Sequence, residues 1–116
     1  MTVRRMKTYT GDTGYVYQYY FVGQREALND PATEYVFDVS SDRKTTYSVS
    51  VFLLTQAVIE WEARHGRKLV DAEKYASVKM RLLRAFDEVE KMLEDGRRLL
   101  ISPEDMEELL AKVGVD

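Results

Sequence analysis

One histidine and no cysteine narrow the chemistry open to this 116-residue chain. Without a thiol there is no thiolate nucleophile, disulfide framework, zinc ribbon or iron–sulfur site. His65 stands in Arg64-His65-Gly66-Arg67-Lys68, where basic groups complement the carbonyl end of a helix. A serine hydrolase would need a nucleophile elbow, and no Gly-x-Ser-x-Gly occurs. A metal would lack a second imidazole. Carboxylates alone can do acid–base work. Here Glu60, Glu62, Asp87, Glu88, Glu90, Glu94 and Glu104 fall on polar helix faces or first helical turns, where acids solvate the surface and offset the dipole. Asp38 differs, because it interrupts the apolar strand Tyr35-Val36-Phe37-Asp38-Val39. A half-exposed sheet face accounts for it. Neither a dinucleotide nor a P-loop fingerprint is present, and Asp71-Ala72-Glu73 lacks the calcium-loop spacing. These residues indicate no catalytic group, no metal site and no cofactor.

The most unusual local feature is aromatic. Tyr15, Tyr17, Tyr19 and Phe21 alternate with Val16, Gln18, Tyr20 and Val22, so a strand here puts four aromatic rings on one face. An open row of that kind stacks unpaired bases in some single-strand binders. Arg4, Arg5 and Lys7 on the neighbouring strand would then meet phosphates. The competing expectation is that the row packs beneath helices. The sequence has no ribonucleoprotein-type glycine–aromatic consensus, and its net charge of −3 gives no polyanion-binding surplus.

These residues need a scaffold, and composition outlines it. Hydrophobic residues make up 45% and charged residues 32% of the chain, the balance of a globular domain. Seven of the eight tyrosines lie in residues 9–47, and Leu, Met, Glu, Lys and Arg dominate after 55. Strands followed by helices make an α+β domain spanning 1–116. Alternation predicts strands over 3–10, 15–22, 33–39 and 45–53. Gly11-Asp12-Thr13-Gly14 is the first turn, and 23–32 is a loop with one helical turn near Gln24. Short links imply an antiparallel meander over about 3–53. Leu99-Leu100-Ile101 makes 98–101 a candidate edge strand.

Helical periodicity covers 56–65, 72–95 and 103–113. Thr55, Asp71 and Ser102 stand as their caps, with Gly66 and Gly96 as stops. The middle helix is long. At 1.5 Å per residue its 24 residues reach roughly 36 Å, against about 26 Å for an eight-residue strand. An overhanging helix leaves apolar side chains uncovered, which favours a two-fold dimer through Trp61, Met80 and Leu83. No apolar run suits a membrane span, and the N-terminus lacks a signal-peptide core. The expected setting is a reducing cytoplasm. The expected function is a non-enzymatic protein-interaction module that homodimerises. Its candidate surface comprises Tyr15, Tyr17, Tyr19, Trp61, Met80 and Leu83. One alternative is a small-molecule-binding protein or enzyme with a pocket between sheet and helices near 23–32. A second is a single-stranded nucleic-acid binder using the tyrosine row.

Overall fold

Odd-numbered aromatic and β-branched residues line one face of the first half of the chain, and that face becomes the core. The computed structural model describes residues 5–12 and 14–116. Five strands, β1 (Lys7–Thr10), β2 (Val16–Glu26), β3 (Ala32–Ser40), β4 (Tyr47–Leu54) and β5 (Arg98–Ile101), form one sheet in the order β1-β2-β3-β4-β5. Helices α1 (Thr55–His65), α2 (Asp71–Glu88), α3 (Met92–Asp95) and α4 (Pro103–Lys112) complete the α+β fold. The inner face presents Tyr17 and Tyr19 from β2, Tyr35, Phe37 and Val39 from β3, and Val49, Val51 and Leu53 from β4. Against it lie Val78, Leu82, Ala85 and Phe86 of α2, Ala57 and Trp61 of α1, and Met106, Leu109 and Leu110 of α4.

The first four strands pair antiparallel, as the short links require. Strand β5 is different: it runs parallel to β4. β4 passes directly into α1, and the chain returns through α2 and α3 to the end where β4 began. A helical crossover of that length delivers a parallel strand. Strand β2 also outruns its expected end at Val22. Its register shifts between Phe21 and Gly23, and pairing continues to Glu26↔Thr33. The bulge leaves Val22 without a ladder partner and Gly23 rejoins opposite Val36, so the expected helical turn near Gln24 is replaced by strand and a short link.

The helix expected over 72–95 divides in two. Its last main-chain bond joins Val89 N–H to the Ala85 carbonyl at 2.7 Å, and Val89 is extended. Phe86 stacks on Tyr17, close to the beginning of β2. Beyond that level no strand among the described residues remains to be covered. The chain bends and carries Met92 down over the sheet end, where it is buried beside Tyr17 and Tyr47. Helix α2 is therefore 18 residues long, about 27 Å, while the 11-residue β2 spans about 36 Å. The overhang inferred from a 24-residue helix is absent. Two caps also move. Thr55 and Asp71 are first helical residues rather than caps. Ser102 does cap α4: its hydroxyl accepts the Asp105 N–H at 3.2 Å, and its own N–H donates to Asp105 Oδ2 at 3.0 Å.

Helix α2 reaches both edges of the sheet. Tyr9 of β1 donates its hydroxyl proton to Asp87 Oδ2 at 2.8 Å. At the opposite edge Arg81 Nε donates to the Leu100 carbonyl of β5 at 2.9 Å. One helix can bridge both edges because the sheet curls around it, concave toward the helices. Among the described residues no element covers the other face.

Candidate interaction surface

Alternation places the even-numbered residues of β3 and β4 on that open face. In β2 the bulge resets the phase, so Val16, Gln18 and Tyr20 are followed by Val22 and Arg25. Cross-strand register assembles two rows there: Gly23, Val36, Ser50 and Arg98, then Arg25, Glu34, Phe52 and Leu100. Val16, Val22 and Leu100 are exposed, and Val36 and Phe52 are half-buried. Shallow hollows of about 270 and 190 Å³ lie between them, one lined by Val22, Gly23 and Val36, the other by Phe52, Leu54 and Leu100.

Polar groups on this face are largely satisfied from within. Tyr20 donates its hydroxyl proton to Asp38 Oδ2 at 2.7 Å, so the aspartate that breaks the apolar strand holds a neighbouring phenol. Arg25 Nε donates to Glu34 Oε1 at 2.9 Å, and the Ser50 hydroxyl donates to Glu34 Oε2 at 2.6 Å. The Arg25 contact first, and the Ser50 bond next, hold the Glu34 carboxyl below its usual pKa. The Arg98 guanidinium lies 4.7 Å from the Phe52 ring centroid, in cation–π range. Paired charges cost less to cover than free ones, and the apolar groups gain.

The residues singled out from the sequence fall elsewhere. Tyr17 and Tyr19 retain only 3% and 4% of their exposure. Tyr17 is stacked 4.2 Å from Phe86, and Tyr19 lies 5.7 Å from the same ring. Their faces are closed by α2, so no base can lie on them. Tyr15 precedes β2 and stays 54% exposed, beside Leu93 at the sheet end. Arg5 and Lys7 are exposed, and Arg4 lies outside the described residues. Trp61 is 1% exposed; His65 stacks on it at 4.0 Å and the Arg67 guanidinium lies 5.0 Å from its ring. Met80 and Leu83 are partly buried and pack against the core. Of the six candidates, Tyr17, Tyr19 and Trp61 are core residues, and none of the six lies on the open face.

His65 clasps two helices, with Nε2 at 2.9 and 3.0 Å from the carboxylate oxygens of Glu107 on α4. Among the described residues no three histidine or acidic side chains converge as metal ligands would. Nor is any helix among them long and apolar enough to cross a membrane. The open-face residues escaped a reading that looked for chemistry. Their signal was the opposite phase of the same strands, Val16-Gln18-Tyr20-Val22 and Glu34-Val36-Asp38, which mixes apolar with polar groups.

No family model, curated protein or solved structure matches the chain. Fold and surface together define a class: an α+β protein with a curled sheet, covered by helices on its concave side and open on the other.

Proposed function

We propose that this protein is a non-catalytic interaction module that homodimerises through the open face of its sheet. The observation that carries the reading is an uncovered face bearing Val16, Val22, Val36, Phe52 and Leu100 around charges that are already engaged. Three strands of 8 to 11 residues flanked by two of four give that face about 600 Å² in plan, near the ~800 Å² per partner of an ordinary stable interface. The occupant is a second copy for an electrostatic reason. Arg25 and Arg98 balance Glu34 and Asp38, so two such faces meet without net repulsion. A two-fold dimer is also the commonest closed assembly.

Light scattering behind a sizing column at micromolar concentration tests it. The wild type should have twice the mass of one chain. Val16→Lys with Val22→Lys adds two charges per face at exposed positions. That double variant should dissociate to a single chain with its thermal midpoint little changed. A wild type of single-chain mass at every concentration overturns the reading.

A further inference from the structure

Strand β5 forms one edge of the sheet. Its ladder to β4 fixes which groups face outward. Ser50 N–H donates to the Arg97 carbonyl at 2.8 Å, and Ser50 pairs with Arg98. In a parallel ladder of that register Leu99 turns its main-chain groups toward β4, while Arg98 and Leu100 turn theirs away. Such outward groups are a template for another strand. Only one of them has a partner among the described residues: the Leu100 carbonyl accepts from Arg81 Nε.

The edge is complementary to itself. Two copies of β5 related by a two-fold axis through Leu99 run antiparallel, with Arg98 opposite Leu100 of the second copy. Arg98 and Leu100 then exchange both main-chain hydrogen bonds at each end, and the two Leu99 side chains meet on the inner face. No arginine stands directly across from another, so like charges do not forbid the pairing. What opposes it is Arg81. Each Arg98 N–H of the second copy would donate to a Leu100 carbonyl, the acceptor Arg81 already occupies. Arg81 is held there at a cost. Burial, and then the neighbouring Arg84 charge, lower its pKa from the ordinary arginine value. Arg84 is engaged separately, donating to Asp105 Oδ1 at 2.9 Å.

We propose that Arg81 guards the β5 edge, occupying its outward acceptor so that β5 of a second copy cannot add to the sheet. This pairing is independent of the open-face dimer, because it extends the sheet sideways and leaves the open face free.

The test is the variant Arg81→Met, which keeps length and removes donor and charge. Its mass should be at least double that of the wild type, whether the wild type is one chain or two. The Arg98 and Leu100 amides should exchange with solvent at least tenfold more slowly in the variant. A folded Arg81→Met at wild-type mass, or a doubled mass without that protection, overturns the proposal. If Arg81→Met does not fold, Arg81→Gln takes its place: it is too short to reach the Leu100 carbonyl, and the same doubling and protection are expected. Loss of fold in both variants would make Arg81 a tie that holds the fold, and would overturn its role as a guard.

Discussion

Single side chains close the joints between elements. Arg67 follows the αL residue Gly66, whose N–H donates to the Glu62 carbonyl at 2.9 Å. It forks onto Glu73 in the first turn of α2, with Nη1 and Nη2 at 2.9 and 2.8 Å from the two oxygens. Glu73 also accepts the Val70 N–H at 3.1 Å. The Arg67 contact first, and this main-chain bond next, bring the Glu73 carboxyl down from 4.5 to about 2. A carboxyl depressed in the fold stabilises it above its unfolded pKa, and the contribution fades as pH falls through the folded value. Glu73 therefore supports the α1–α2 joint fully above pH 4.5 and loses that support between 4.5 and about 2. Glu73→Gln should melt earlier than the wild type at pH 6. Thermal midpoints followed across pH should converge near pH 2. A constant gap down to that pH would show that shape, not charge, sets the joint.

At the scale of elements the attachment of β1 is slight: it has four residues at a sheet edge, and its ladder partner is β2. Asp87 anchors this hairpin twice, accepting the Tyr9 hydroxyl at 2.8 Å and the Asp12 N–H at 2.9 Å. The Asp87 hydrogen bond is the main reason the Tyr9 phenol rises from 10.0 to about 12. A phenol raised in the fold favours folding below its unfolded pKa, and the benefit is lost as pH climbs from 10 toward 12. Tyr9→Phe should cost about 1 kcal/mol, and it should abolish the part of the alkaline loss in this interval that depends on Tyr9. Amide exchange in β1 should quicken before that of β3. Equal protection of β1 in wild type and variant would show that the hairpin holds without the anchor. The elements themselves were legible where periodicity is local: four strands and the edge strand over 98–101, Gly66 and the Ser102 cap. Three features were not: β2 running through Gly23, the parallel sense of β5, and the bend at Val89. Each depends on a distant partner: Val36 across the bulge, β4 beside β5, and the sheet end beneath Phe86.

For the whole molecule, the question is which apolar groups the fold itself consumes. From the sequence, packing beneath helices is the leading expectation for the tyrosine row and packing within the chain for the helix stripe, but alternation identifies two faces without saying which one the helices cover. Curling of the sheet around α2 decides it. The odd face of β2 receives Phe86 and Tyr75, and among the described residues no helix covers the even face. Met80 then becomes the discriminating position. It packs against the core cluster, so Met80→Glu puts a carboxylate into a partly buried apolar contact. That should cost about 1–3 kcal/mol through desolvation and lost packing. Val22→Lys places an ammonium on the open face, which is solvated in the single chain and covered only in a dimer. The two variants should behave in opposite ways. Met80→Glu lowers the thermal midpoint and leaves the dissociation constant of the dimer unchanged once the folded fraction is accounted for. Val22→Lys leaves the midpoint of the dissociated chain unchanged and weakens association at least tenfold. If Met80→Glu instead dissociates a dimer without loss of stability, the seam lies along α2, and the open face belongs to some other partner.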